Sequence, residues 1–275
     1  MDSVKVKNFI ILVLVIVDLA LLVLVVRDAA RGSEQRKEAI EGAREVLLSH
    51  GISVSEDADL GEREGSSYSV SRSDEAERLA AEAIFGEVEV IDRGGGIVMY
   101  SAVSGEVTFR GAGGLEMQYY GISAPETDEP EKLALEMSRT LGAEAYSEDI
   151  SSVTEGETTT VSVGCSWMGS RIVNCELNYT FKGGKLLYVS GSRPLGESSS
   201  ERLEEIIDVP TVLMRFIELT QQQGHVCSML EELELCYLYS GTASGGGSLS
   251  PVWQLRTDTG YFYINAITGK EESVS

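Results

Sequence analysis

Hydrophobic positions along this chain repeat with three different periods, and each period predicts a different kind of element. From Phe9 to Val26 the sequence reads FIILVLVIVDLALLVLVV, apolar at every position except Asp18. A segment with no polar face predicts a helix surrounded on all sides by apolar material. Its eighteen residues at about 1.5 Å rise make roughly 27 Å of helix, close to the hydrocarbon thickness of a bilayer. Beyond Val26 the apolar positions return every three to four residues. Ser33 to Ser49 carries Ile40, Ala43, Val46 and Leu47 on one helical face, with Gly51 as its stop. Residues 53–73 are polar and predict a loop, with a short strand at Tyr68 to Val70. A second helix begins at Asp74, a cap with Glu77 three residues on. Leu79, Ala80, Ala83 and Ile84 form its stripe and Gly86 ends it.

The period then falls to two. Glu87–Asp92, Ile97–Val103, Glu106–Arg110 and Leu115–Tyr120 are short strand patterns separated by Gly94 to Gly96, Ser104-Gly105 and Gly111 to Gly114, a β-meander. These glycines have strands on both sides, whereas a phosphate cradle needs a helix N-terminus after the glycine. Gly121 to Glu131, with Pro125 and Pro130 in an acidic setting, predicts a hinge, and the order then repeats. A helix over Asp128–Leu141, capped by Asp128 with Glu131, carries Leu133, Met137 and Leu141 and stops at Gly142. Strands follow at Thr158–Trp167, Ile172–Phe181 and Lys185–Ser190. After the polar Gly196 to Glu201 come helical segments at Glu201–Ile207 and Val209–Gln222, then strands at Leu233–Tyr239, Val252–Arg256 and Tyr261–Ala266. The expected fold class is α+β: a transmembrane anchor at 9–26 behind a tail at 1–8, then two helix-plus-antiparallel-meander subdomains at 27–126 and 127–275.

One hairpin is predicted to the residue. Folding about Ser170 pairs 167 with 173, 165 with 175, 163 with 177 and 161 with 179, all on one apolar face. Cys165 then lies opposite Cys175, a separation a disulfide spans, or the two are small buried thiols. The other cysteines are Cys227 and Cys236.

Charge narrows the partners. With 22 basic and 44 acidic residues the net charge is −22, which repels phosphate backbones and excludes nucleic acid as a partner. Candidate catalytic chemistry is sparse. His50 and His225 lack metal-type spacing to other ligands, and the paired acids Glu204-Glu205 and Glu231-Glu232 read as solvated faces. Gly164-Cys165-Ser166-Trp167-Met168-Gly169 places its second glycine one residue too late for a nucleophile elbow, and its context is strand–turn–strand. Asn178-Tyr179-Thr180 fits a glycosylation sequon in mid-strand. The expectation is a protein without catalytic residues, metal or cofactor.

The charge also bears on the apolar run. Arg27-Asp28-Ala29-Ala30 offers no small residue at −3 for signal cleavage after either alanine, so the run is read as an uncleaved anchor. The flanks, Lys5 and Lys7 before it and Arg27, Arg31, Arg36 and Lys37 after it, do not set orientation by count alone. The short tail and the acidic body favour a cytoplasmic N-terminus and an extracytoplasmic body. Asp18 costs about 2.5–3.5 kcal/mol at mid-bilayer, so with nearby Ala20 it is the candidate contact to a partner helix.

The last distinctive stretch is Leu249-Ser-Pro-Val-Trp253-Gln-Leu-Arg256, a turn at Asp258-Thr-Gly260, then Tyr261-Phe-Tyr-Ile-Asn265-Ala-Ile-Thr-Gly269-Lys270. It reads as a hairpin in which Pro251 opens the first strand. This segment, 249–270, resembles the closing hairpin of PepSY-like domains. With the anchor and the two repeated units, the chain is similar to YycI-type proteins, extracytoplasmic regulators of a Gram-positive cell-wall histidine kinase. The resemblance implies a membrane-anchored, non-enzymatic regulator of a two-component sensor kinase, partnered by that kinase and by a YycH-type anchored regulator or a second copy of itself. PepSY-like domains also occur in protease propeptides, so the alternative is a tethered peptidase inhibitor or chaperone.

Overall fold

The structure is a computed structural model and describes residues 34–274; the run 9–26, with Asp18 and Ala20, lies outside the described residues. The first helix, α1, covers 34–49 and buries Ala43 and Leu47. It stops where the pattern says: Gly51 takes φ +82° and the Ile52 amide returns to Leu47 O at 3.0 Å. A two-residue strand β1 (Ser53–Val54) follows, then β2 (Gly65–Ser71), more than twice the expected length, whose Ser66, Tyr68 and Val70 face inward.

Helix α2 (Asp74–Phe85) departs from expectation in a way that matters later. Its cap is Ser73, whose hydroxyl accepts from Ala76 N, and its buried face is Glu77, Ala80 and Ala81. Leu79 is 52% exposed and Ala83 is exposed. The stripe is rotated because a carboxylate, given cationic partners, occupies the place assigned to an aliphatic side chain. The meander follows as expected: β3 (Glu89–Gly94), β4 (Ile97–Ala102), β5 (Gly105–Arg110) and β6 (Gly114–Tyr119). Helix α3 (Pro130–Thr140) starts two residues later than predicted, because Pro130 suits a first turn and the Asp128 cap is not used.

Strand β7 (Glu144–Glu155) has no counterpart in the sequence reading, since it is polar and largely exposed. Strands β8 (Thr158–Trp167), β9 (Ser170–Lys182) and β10 (Lys185–Ser192) match the reading closely. The stretch expected as loop and helix at 196–207 is instead strand β11 (Glu197–Glu204), which pairs with β2. Helix α4 (Val209–Gln223) is capped by Asp208, which accepts from Thr211 N at 3.1 Å, and closes on left-handed Gly224. Strands β12 (Met229–Gly241), β13 (Gly246–Thr257) and β14 (Gly260–Asn265) complete the chain.

The fold is α+β. Its strands join one fourteen-stranded sheet with the path β11-β2-β13-β12-β9-β10-β6-β5-β4-β3; β1 and β14 flank β12 and β13, and β7-β8 branch from β9. The expected boundary at 126/127 falls inside that sheet, where β6 pairs with β10, β2 pairs with β13 and Glu126 bridges Lys185. A larger core lies against α2, α3 and the meander. A second core gathers Leu47 of α1, Phe216 of α4, and Trp253 and Ile264 of the closing strands.

The predicted β8–β9 hairpin is half right. Val163 pairs with Leu177 and Val161 with Tyr179 as expected, but nearer the turn Cys165 faces Ile172 and Trp167 faces Ser170. The turn is tighter than predicted, with Met168 and Gly169 both at positive φ, and residues 173–175 form a bulge that absorbs the difference. That bulge has a purpose. Strand β12 meets β9 through the single pair Tyr237 with Ile172. Beyond it, the Asn174 side chain donates to Tyr239 O at 2.7 Å and accepts from Tyr239 N at 2.9 Å, so an amide side chain completes the ladder.

Candidate functional site

The closing hairpin is the element on which the sequence reading rests most, and its construction is physically clear. Strand β13 begins at Gly246, earlier than expected, so Pro251 lies within it and does not open it. Its position is still the one a proline requires. The far side of β13 is covered by β2 as far as Leu249 and by β14 from Val252 onward, and Pro251 falls in the interval between them. Its carbonyl faces that side and accepts from Ala266 N at 3.0 Å. The chain turns between Thr257 and Gly260. Asp258 accepts from Ser228 N, Ser228 Oγ (2.6 Å) and Met229 N, and the Ser228 bond foremost holds its carboxyl below the usual range.

The Asn-Ala-Ile-Thr-Gly end also has a mechanical explanation. Asn265 Oδ1 accepts from Ile267 N at 3.0 Å and Thr268 N at 2.8 Å, and Gly269, at φ +68°, donates to Asn265 O. An asparagine turn closed by a left-handed glycine needs those two residue types at that spacing.

Trp253 is buried beneath α1, with its indole donating to Ile207 O at 3.3 Å. A cleft of about 310 Å³ lies beside it, walled by Arg36, Lys37 and Ile40 of α1, the 60–63 loop and residues 206–210. Its rim is charged in both signs: Arg36 pairs with Glu62 at 2.7 Å and Arg63 with Asp59. No Ser, Thr, Cys or His is among the described residues that line it. Its ionisable lining is Arg36, Lys37, Glu62, Arg63 and Asp208 beside the apolar Ile40, Leu60 and Trp253, a mixture that suits an amphipathic segment.

Of the residues singled out from sequence, Asp18 and Ala20 lie outside the described residues. Cys165 and Cys175 are buried free thiols in the larger core, with Cys165 facing Ile172 across the strands. Burial pushes both thiols up, Cys175 to about 12, so neither supplies a thiolate near neutral pH. His50 Nδ1 lies 2.8 Å from Val46 O, and the His225 ring meets Phe262 edge-on. Asn178, in β9, is bonded to Ser162 and Glu176.

The sequence reading missed a buried charged cluster. Arg72 Nε lies 3.0 Å from both Glu77 oxygens, and its Nη2 is 2.6 Å from Oε2. Arg193 approaches the same carboxylate at 3.8 Å. Burial lifts the Glu77 carboxyl and pulls the Arg193 guanidinium down. Burial also pulls on Arg72, but the bonds and charge of Glu77 outweigh it and raise its pKa. One signal was available: Glu77, Ala80, Ala81 and Ile84 form as good a helical stripe as the one chosen. Against it stood the place of Glu77 three residues after the candidate cap Asp74 and the general exposure of acids.

No family model matches the chain, and no curated protein matches it. Among solved structures, an uncharacterized protein from Eubacterium rectale is similar at 11% identity and TM-score 0.48, over 82% of this chain and 90% of that one. The YpeB C-terminal domain of Bacillus megaterium is similar at 10% identity and TM-score 0.36, over 75% and 98% respectively. At that distance neither likeness assigns an activity to this chain.

Proposed function

We propose that the chain is a single-pass regulator of a cell-envelope sensor histidine kinase, acting by contact and without chemistry of its own. The body is PepSY-like and extracytoplasmic, the tail at 1–8 is cytoplasmic, and the partners are the kinase and a YycH-type anchored regulator or a second copy. One observation carries the proposal. Only residues 27–33 separate the apolar run from the described part of α1, and Ala43 and Leu47 of α1 pack into the same core as Trp253, Phe262 and Ile264 of the closing hairpin. A helix fastened this way passes a shift at the membrane to the body, or the reverse, because packed cores move as units. The cleft beside Trp253, with apolar walls and a rim charged in both signs, supports a binding role.

Co-purification of the full chain from mild detergent is expected to recover a histidine kinase or a second anchored regulator. Asp18→Leu is expected to leave insertion and abundance intact while weakening that association and shifting kinase output. Recovery of the protein alone, with normal kinase output in a deletion strain, contradicts the proposal.

A further inference from the structure

The geometry points to a second binding site, remote from the α1 cleft, that takes a small monoanionic carboxylate. It is a pocket of about 150 Å³ between the start of α2 and the end of α3, and Arg72, Glu77 and Arg193 are part of its lining. The inference stands independently of the kinase reading.

Arg193 is 6% exposed, yet it is nearly unbonded. A guanidinium has five N–H donors. Here Nη1 donates to Pro194 O at 3.2 Å, and Nη2 stands 3.8 Å from Glu77 Oε1, beyond hydrogen-bond reach. Among the described residues Nε has no partner at all. The Phe109 ring lies under the guanidinium at 5.2 Å and adds only a weak attraction. Glu77 is drawn to Arg72, which bonds both its oxygens at 2.6–3.0 Å, and stands only at ion-pair distance from Arg193. Asp74 lies 3.3 Å from Arg72 but is 81% exposed, so water screens it. The buried cluster is therefore one positive charge in surplus, which is strongly unfavourable unless an anion arrives.

The pocket is shaped to admit one. Gly142, at φ +77°, leaves the space in front of Arg193 Nη1 without a side chain. Ser73 at the start of α2 accepts from Ala76 N and keeps its hydroxyl proton to donate, and the first turn of a helix favours negative charge. Leu141 and Leu195 give apolar walls suited to a short hydrocarbon stem. A carboxylate matches a guanidinium fork in planarity and a single surplus charge in magnitude. A phosphate dianion would meet more repulsion from Glu77 than a monoanion does.

The test is titration of the full-length chain with trifluoroacetate, followed by fluorine NMR. Saturable binding is expected, displaced by acetate and not by neutral acetamide, with inorganic phosphate a weaker competitor. Ala76→Leu fills the pocket mouth from an exposed helical position, leaves every charge in place, and is expected to weaken binding by about tenfold or more. Arg193→Lys keeps the charge, loses the fork and is expected to weaken it too; should that variant fail to fold, Ala76→Leu decides alone. Better competition by a short peptide with a free C-terminus than by its amidated form assigns the site to peptide ends. Equal failure of both peptides beside acetate displacement assigns it to free small acids. Equal displacement by acetate and acetamide, or unchanged binding in Ala76→Leu, overturns the proposal.

Discussion

Asn174 shows why single polar residues were the least legible level of this sequence. Its side chain stands in for a backbone unit at the seam between β9 and β12, a role set by Tyr239, far away along the chain. Asn174→Ala leaves a buried donor and acceptor unpaired and is expected to cost about 1–3 kcal/mol, read as a lower urea midpoint with unchanged slope. Asp258 provides a pH test. Its folded pKa is depressed, foremost by the Ser228 hydroxyl, so its contribution is present above the unfolded value and lost as pH falls through the folded one. Asp258→Asn should therefore destabilise the protein near neutrality. The difference from the parent should shrink well below the ordinary carboxylate pKa of about 3.9, as urea unfolding at both pH values will show. Apolar residues were far easier to place. Val161, Val163, Leu177 and Tyr179 sit on the buried face their alternation predicted. Glu77 and Arg193 were not legible, because burial of a charge depends on partners that sequence spacing does not reveal.

Elements were legible where burial on one face writes a period into the sequence. The meander β3–β6, the β8–β10 strands, α4 and the closing hairpin all lie close to their predicted places. Strands β7 and β11 were missed because they are polar edge-like segments, and β11 is serine-rich. The glycine turns were identified as turns, but their second role was hidden. A Cβ at Gly96 would stand 2.0 Å from Ala243 O, and one at Gly111 2.2 Å, so these glycines let the β12–β13 loop lie directly on the meander's end. Gly111 needs no left-handed φ, so Gly111→Ala tests that close approach alone. Because the atom it meets is backbone, the expected loss is about 1–3 kcal/mol in thermal or urea unfolding. Gly114→Ala, whose Cβ would meet only the flexible Arg110 side chain at 3.1 Å, should cost less.

At the scale of the molecule, the α+β class was readable from the order of periods, while the continuity of the sheet was not. Periodicity reports which face of a strand is buried and carries no information on which distant strand lies beside it. The pairing of β2 with β13, and the packing of α1 against α4 and the closing hairpin, bring residues near position 50 against residues near 250. That union is the basis of the proposed regulator, since it joins the helix nearest the apolar run to the hairpin at the other end of the chain. Hydrogen exchange on the full chain in a lipid environment tests it most directly, with Leu47→Ala as the perturbation, a change expected to cost about 2–5 kcal/mol. The account predicts that amides of α1 around Ala43 to Leu47 and those of β13 and β14 exchange in one cooperative step, and that Leu47→Ala accelerates both. Rapid exchange of α1 beside a protected β13, with the hairpin unaffected by Leu47→Ala, would contradict it.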